Sequence, residues 1–170
     1  DVSRNTKLTE LLCHENQLTA LDLTHNTALA TVYCPNNRLT ALDLSKNTAL
    51  ATLACSRNQL TALDLSQNTA ITELYCNNNQ LAALDLSRNT ALTELYCNGN
   101  RLTTLDLSRN TELTKIYCDD NPLTELNISN LSKIEEIVFG DNPEINVIAN
   151  SQTVVSDEVR HYMDGKRKTP

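Results

Sequence analysis

The 170-residue sequence has no tryptophan, one phenylalanine and five tyrosines, so aromatic rings cannot fill its interior. Leucine, isoleucine, valine, alanine and cysteine must form the core instead. Basic residues are also few. The formal net charge of −7 argues against a nucleic acid or an anionic membrane as partner, because both require a basic surface. No apolar run is long enough to cross a bilayer and no stretch resembles a signal peptide, so we expect no membrane insertion of this segment.

Arrangements that carry catalysis or bind cofactors are also missing. With only three glycines, the sequence offers no glycine-rich loop that could cradle a phosphate. His14 directly follows Cys13, so on a strand their side chains point to opposite faces and cannot act as a pair. His25 and His161 have no evident nucleophile beside them. We therefore expect no enzyme, no cofactor and no metal site.

The dominant positive feature is an internal repeat. Six cysteines recur at intervals of 21 residues: Cys13, Cys34, Cys55, Cys76, Cys97 and Cys118. Phe139 takes the next position of this column. The unit is LxxLxCxxNxLxxLDLSxNTx, and each of its two halves matches the leucine-rich pattern LxxLxLxxNxL. A fixed period of this length is typical of a solenoid, in which each coil packs only against its neighbours.

Alternation within each unit predicts a strand. In "ELYC" (94–97), Leu95 and Cys97 face one side, and Glu94 and Tyr96 face the other. One such strand per coil can stack into a parallel sheet with strands about 4.8 Å apart. We interpret the cysteines as a ladder of small, reduced and buried side chains that fit a narrow layer. Disulfides would need a torsion near 90° that in-register strands disfavour, and a straight column cannot surround zinc tetrahedrally.

Two columns of asparagine accompany the leucines. Because a turn must follow each strand, we expect inward asparagines to bond the freed backbone groups of adjacent coils. The first column includes Asn79, Asn100 and Asn121; the second is Asn26, Asn47, Asn68, Asn89 and Asn110. The return half of each coil has about eleven residues to cross the back, which favours an extended or irregular path over a helix.

Aspartates form a further column on the back: Asp22, Asp43, Asp64, Asp85 and Asp106. Like charges at a strand spacing repel by about 0.9 kcal/mol per pair even in water, so something must compensate. We expect hydrogen bonds to the turn backbone, aided by the partly basic column three residues later: Arg4, His25, Lys46, Gln67, Arg88 and Arg109. Calcium bridging between the carboxylates is the alternative.

The pairing of "LxxLxCxxN" with "LDLSxNT" over residues 1 to about 145 resembles the internalin-J-like bacterial surface proteins, whose 21-residue leucine-rich repeats carry a cysteine ladder. The resemblance implies a right-handed, curved leucine-rich-repeat solenoid with a parallel sheet on its concave face. It also implies a secreted or surface-attached bacterial protein that binds a partner rather than catalysing a reaction. No N-terminal cap or wall-anchoring signal is seen in these residues.

We divide the chain into three parts. Residues 1–145 form the solenoid of about seven coils, the first of them truncated because "DVSRNT" copies the later "DLSRNT" and indicates a piece of something longer. Residues 146–165 form a C-terminal cap with a helix near 157–164, N-capped by Ser156 and followed by Gly165. Residues 166–170 are expected to be a disordered tail.

The outward face of the strands is the candidate binding site. Tyrosines stand beside the cysteines, with an interruption at Ala54. Acidic or basic residues precede them, and amides or a carboxylate follow. The site residues are Tyr33, Tyr75, Tyr96, Tyr117, Glu73, Glu94, Lys115, Asn77, Asn98 and Asp119. We predict a protein partner on this concave strip, in adhesion or host contact. A glycan is the alternative ligand; a spacer that displays another domain, or tyrosines that merely suit an exposed strand, are the remaining alternatives.

Overall fold

The computed structural model describes residues 1–140 and 145–149. These residues form nine short strands: β1 (Glu10–Leu12), β2 (Thr31–Tyr33), β3 (Thr52–Ala54), β4 (Glu73–Tyr75), β5 (Glu94–Tyr96), β6 (Lys115–Tyr117), β7 (Glu125–Asn127), β8 (Glu136–Val138) and β9 (Asn146–Ile148). Seven of them pair in the order β1-β2-β3-β4-β5-β6-β8. All pairs are parallel, and each residue faces its equivalent 21 positions further on. The chain is therefore a parallel β-solenoid of about six turns with a leucine-rich-repeat fold.

The strands form where the sequence alternates. In β5, Leu95 is fully buried while Glu94 and Tyr96 keep partial exposure. The buried leucine lies opposite the equivalent leucine or isoleucine of each neighbouring strand. The backbone ladder continues into the following cysteine, since the Cys97 N–H donates to the Tyr117 carbonyl at 2.8 Å. Each coil therefore contributes one identical layer to a continuous apolar core.

The asparagines that follow the cysteines tie coils together, as predicted. The Asn58 amide nitrogen donates to the carbonyls of Cys34 (3.1 Å) and Cys55 (3.0 Å), and its Oδ1 accepts from the Leu39 N–H at 3.0 Å. Asn37, Asn79, Asn100 and Asn121 make the equivalent bonds in their own coils. This column therefore satisfies backbone groups that the turn would otherwise leave buried and unpaired.

The second asparagine column bonds differently. The Asn47 amide nitrogen donates to the Leu23 carbonyl (3.1 Å) and the Asn26 carbonyl (2.9 Å). Among the described residues, the Oδ1 atoms of Asn26, Asn47, Asn68, Asn89 and Asn110 have no hydrogen-bond partner although they are buried. This half of the repeat has one more residue between the asparagine and the next leucine, and the Leu29 N–H bonds the Asn26 backbone carbonyl instead.

The return half is not helical: within residues 1–140 and 145–149 no helix occurs. At the C-terminal end of the described region it becomes regular, because β7 and β9 pair in parallel as a separate two-stranded sheet. The pairing continues past residue 145, where the sequence pattern places the start of the cap. The predicted helix near 157–164 and the predicted tail at 166–170 lie outside the described residues.

Candidate functional site

The outward side chains of the seven-stranded sheet form three parallel columns, which we call the sheet face. The first begins each strand: Glu10, Thr31, Thr52, Glu73, Glu94, Lys115 and Glu136. The second ends each strand: Leu12, Tyr33, Ala54, Tyr75, Tyr96, Tyr117 and Val138. The third follows the inward cysteine or phenylalanine and ends in a glycine without a side chain: His14, Pro35, Ser56, Asn77, Asn98, Asp119 and Gly140. All ten predicted site residues lie on this face.

Three of the tyrosines form a stack of parallel rings. The Tyr75 and Tyr96 ring centroids are 4.9 Å apart with an interplanar angle of 28°. Tyr96 and Tyr117 are 4.5 Å apart at 10°. This spacing follows from the in-register parallel strands, which bring equivalent side chains to one strand separation from each other. We call Tyr75, Tyr96 and Tyr117 the tyrosine stack.

Glutamates hold both ends of the tyrosine stack. The Tyr75 hydroxyl donates to Glu94 at 3.0 Å and contacts Glu73 at 3.3 Å, and the Tyr117 hydroxyl donates to Glu136. Burial and these carboxylates raise the pKa of Tyr75, and the hydrogen bond to Glu136 raises the pKa of Tyr117 to about 12. The stack is therefore protonated at neutral pH, and its outer rings have fixed orientations.

Lys115 and Glu94 form an ion pair at the centre of the sheet face. The Lys115 ammonium lies 2.9 Å from the Glu94 carboxylate, across β5 and β6. This contact lowers the pKa of Glu94 and raises that of Lys115, so both remain ionised. Glu73 has no lysine or arginine within 4.0 Å among the described residues, and its carboxylate is left with the Tyr75 hydroxyl alone. Because Lys115 neutralises Glu94, the excess negative charge of the sheet face comes from its other acidic residues: Glu10, Glu73, Asp119 and Glu136.

Tyr33 stands apart from the tyrosine stack. It is 41% exposed, and its ring meets His14 edge-on, with centroids 5.3 Å apart and an interplanar angle of 80°. Ala54 lies between Tyr33 and Tyr75 in the same column, on the intervening strand. The four predicted tyrosines therefore form a single ring, a gap at Ala54 and a stack of three.

The interruption at Ala54 is visible in the sequence, but the depression that it opens was not predicted. The depression has a volume of about 470 Å³ and is lined by Tyr33, Pro35, Asn36, Thr52, Ala54, Ser56, Arg57, Glu73 and Tyr75. Ala54, only 2% exposed, lies at its floor. Arg57 lies at the rim of the depression. It is a turn residue with a φ of 52°, and it belongs to a column of residues in the left-handed conformation, two positions after each cysteine. The signal for the depression was the alanine itself, at a position that carries a ring on both neighbouring strands.

The third column is partly engaged with its own neighbours. The Ser56 hydroxyl lies within hydrogen-bond distance of both the Asn77 side chain and the Tyr75 carbonyl. Burial raises the pKa of Asp119, whose Oδ1 has no hydrogen-bond partner among the described residues. Asn77 and Asp119 therefore flank the tyrosine stack with polar groups that are partly withdrawn from solvent.

The cysteine column lies on the opposite, inward side of the same strands. All six cysteines are free thiols; five are buried, whereas Cys13 in the first coil is only partly buried. Burial raises the pKa of Cys34, Cys76 and Cys118 to about 12, and raises those of Cys55 and Cys97 as well. These thiols are protonated and core-forming, and they are not part of the sheet face.

The aspartate column on the back closes turns. The Asp85 carboxylate accepts a hydrogen bond from the Ser87 N–H at 2.9 Å, and Asp43, Asp64 and Asp106 accept from the equivalent serines. This backbone bond is the main cause that lowers the pKa of Asp85, and the charge of Arg88 contributes less. In the described part of the chain, no cluster of three or more histidine, cysteine or acidic side chains could hold a metal ion. Nor does that part contain a helix suited by length and hydropathy to span a membrane.

Comparison with known proteins agrees with this architecture. Residues 69–109 match the family model for leucine-rich repeats in two copies. The functional domain of InlJ from Listeria monocytogenes, which includes a cysteine ladder, superposes with a TM-score of 0.87 and 38% sequence identity over 90% of this chain. YopM, a leucine-rich effector protein from Yersinia pestis, matches 84% of the chain at 26% identity and a TM-score of 0.72. An internalin, InlF, from Listeria monocytogenes shares the fold over 92% of the chain at 20% identity and a TM-score of 0.78.

These matches confirm the predicted resemblance in both fold and cysteine ladder. The chain spans only part of each relative: 34% of the InlJ structure, 39% of YopM and 50% of InlF. No curated protein matches the sequence.

Proposed function

From the premise that this chain is a leucine-rich-repeat solenoid similar to InlJ over 90% of its length, we propose that it is a non-catalytic protein-interaction module. Leucine-rich-repeat proteins related to internalins are protein-interaction modules, and the similar Listeria proteins support a secreted or surface-attached bacterial setting. In this proposal the partner is a protein, such as a host-cell or matrix protein, and the seven-stranded sheet lines the concave side of the solenoid. The sheet face is its binding site.

The tyrosine stack carries the proposal. Its three rings are spaced at 4.9 and 4.5 Å, glutamates bond the two outer rings, and the central ring is packed between them, so they have little rotamer freedom left to lose on binding. Rigid tyrosines dominate many protein interfaces because they supply large contact area at low entropic cost. A core of stacked rings with charged and amide groups around it matches the usual anatomy of an interface, in which an apolar centre has a polar rim.

The charge of the sheet face indicates the chemistry of the partner. Glu73 has no lysine or arginine within 4.0 Å in the described part of the chain, and the full sequence carries a net charge of −7. A basic surface on the partner would be steered toward this face and would associate faster at low ionic strength. The affinity is therefore expected to weaken as salt concentration rises.

A glycan is the second candidate ligand. Flat aromatic rings beside carboxylates and amides also suit a sugar ring, and Asn77 and Glu73 lie beside Tyr75 on this face. The protein hypothesis is preferred because the three adjacent rings form one continuous stacked surface rather than a single isolated platform.

The test compares wild type with Tyr75→Ala, Tyr96→Ala and the double variant. Proteins retained from host-cell and matrix extracts on immobilised wild type are identified by mass spectrometry, then purified and titrated. Each truncation should weaken binding by about 2 kcal/mol, or roughly 30-fold in Kd. Arg88→Ala, an exposed change on the back, is the matched control and should bind normally.

Unchanged binding by the double variant would overturn the sheet-face assignment. A glycan array run with the same proteins tests the alternative: binding there, lost in the double variant, would favour a carbohydrate ligand. If wild type retains neither proteins nor glycans, the spacer interpretation is favoured. Melting temperatures recorded alongside show whether each variant remains folded.

A further inference from the structure

A positional rule links the tyrosines to glutamates on the next strand. The Tyr75 hydroxyl donates to Glu94, and the Tyr117 hydroxyl donates to Glu136; in both pairs the glutamate lies 19 residues after the tyrosine. At the equivalent position for Tyr96 stands Lys115, which pairs with Glu94 instead. Counting the same 19 residues from Ala54 leads to Glu73.

The depression over Ala54 therefore has the flanking rings and the glutamate acceptor that accompany a tyrosine in this column, but no ring of its own. Tyr33 and Tyr75 stand on the two flanking strands, and adjacent strands elsewhere in this column place stacked rings 4.9 and 4.5 Å apart. The backbones of Tyr33 and Tyr75 are two strand spacings apart, about 9.6 Å, so parallel rings at these positions would leave room for one planar group. Glu73 borders the depression, and its carboxylate has spare acceptor sites because the Tyr75 hydroxyl at 3.3 Å is its one hydrogen-bond partner among the described residues.

We propose that the depression receives a tyrosine side chain of the protein partner. Its ring lies between Tyr33 and Tyr75 and completes the row, and its hydroxyl donates to Glu73. This inference rests on the proposed function and names the partner's anchoring chemistry. Phenylalanine would fill the space but leave Glu73 without the new donor. Arginine could stack and pair with Glu73, but Arg57 lines the same depression and would repel a second cation.

The experiment uses small probes and a local readout. Protein with ¹³C-labelled alanine methyls is titrated with N-acetyl-tyrosinamide, and in parallel with the phenylalanine and arginine analogues and with methyl galactoside. The tyrosine probe should shift the Ala54 methyl signal with a millimolar Kd. The phenylalanine probe should bind several-fold more weakly, and Glu73→Ala should remove this difference between the two.

Two substitutions to tyrosine provide a test variant and its matched control. Ala54→Tyr fills the depression from within and should keep the wild-type melting temperature. Because this variant lacks the Ala54 methyl, its probe binding is followed by saturation transfer to the tyrosine probe, which wild type should show and Ala54→Tyr should abolish. Arg88→Tyr adds an exposed ring on the back of the solenoid, outside the sheet face, and should leave probe binding unchanged. A crystal structure of Ala54→Tyr should show the new hydroxyl on Glu73.

Several outcomes would overturn the inference: probe binding that survives in Ala54→Tyr, an arginine probe that binds as well as tyrosine, or a response of Ala54 to the galactoside alone. Its failure is distinguishable from failure of the proposed function. If the probes fail but Tyr96→Ala still releases the protein partner, only the tyrosine-acceptor assignment falls.

Discussion

The two sides of the same strands follow different rules. On the inward side, leucine or isoleucine and then cysteine recur in almost every coil, and these residues are fully buried in the central ones. On the outward side, the column beside the cysteines changes from leucine to tyrosine, alanine and valine. An inward residue must match the layers above and below it, because close-packed interiors tolerate little change in volume. An outward residue is free to vary, so the features that distinguish this protein from another solenoid lie there.

The strongest test of this difference between the two sides is to place a charge on the inward side. Leu95→Asp buries an unpaired carboxylate in a central layer and should cost more than about 5 kcal/mol, enough to abolish cooperative unfolding. The same change at Leu11, which is only partly buried in the first coil, should be milder. Thermal and denaturant unfolding followed by circular dichroism measure both, and equal losses would contradict a core built from nearest-neighbour layers.

The next largest effect concerns the asparagines on the inward side. Asn79→Ala leaves the Leu60 N–H without its partner and removes one of two asparagine bonds from each of the Cys55 and Cys76 carbonyls, which keep Asn58 and Asn100 as donors. At about 1 kcal/mol for each of the three lost hydrogen bonds, the loss should reach roughly 3 kcal/mol. Asn89→Ala removes two bonds to backbone carbonyls and should cost less. Urea titrations of the two variants test the order, and a larger loss for Asn89→Ala would contradict it.

The cysteine column predicts a dependence of stability on pH. Burial raises the pKa of Cys76 and Cys118 from 9.0 to about 12, so these thiols keep their protons in the folded state after the unfolded chain has lost them. The raised pKa of these thiols contributes its full stabilisation of the folded state below pH 9, the pKa of a cysteine in the unfolded chain. This stabilisation is lost as the pH rises toward 12. Raising the pH from 8 to 10 should lower the unfolding free energy by about 1.4 kcal/mol for each such thiol.

The matched control for this titration is the variant with Cys76→Ala and Cys118→Ala. It should be less stable at pH 7 but should lose less free energy between pH 8 and 10 than wild type does. A wild-type stability that stays constant to pH 10 would show that the column does not remain protonated as a buried layer.

The smallest effect on folding is expected from the outward side. Tyr96→Ala removes stacking on Tyr75 and Tyr117 and should lower the unfolding free energy by only about 1 kcal/mol. Differential scanning calorimetry measures this loss. If Tyr96→Ala instead destabilises as strongly as an inward substitution, the rings serve the fold, and the contrast between the two sides disappears.

How far the sequence could predict each side follows from the same contrast. The 21-residue period and the alternation around Leu95 and Cys97 were enough to predict the parallel sheet, its register and the inward cysteines. The hydrogen bonds of the first asparagine column were predicted as well. The partial exposure of Cys13 was not, because it depends on the first coil lacking a packed neighbour among the described residues.

Other features depend on contacts between residues that no local pattern joins. The depression over Ala54 exists only because Tyr33 and Tyr75 flank a missing ring, and Glu73 gains its role from a neighbouring strand. The pairing of β7 with β9 could not be predicted, since the same half of earlier coils forms no regular strand. The one-sided bonding of the second asparagine column arises from a single extra residue in the turn.

The direction of the asparagine bonds has a consequence for synthesis on the ribosome. Asn58 completes backbone groups of the preceding coil, at Cys34 and Leu39, and its counterparts do the same along the array. A coil is therefore finished only when the asparagine of the next one has emerged. At typical translation rates the 21 residues of a coil take roughly one to four seconds to synthesise. We expect the nascent chain to fold vectorially, one coil behind the exit tunnel, with the newest coil always the unfinished one.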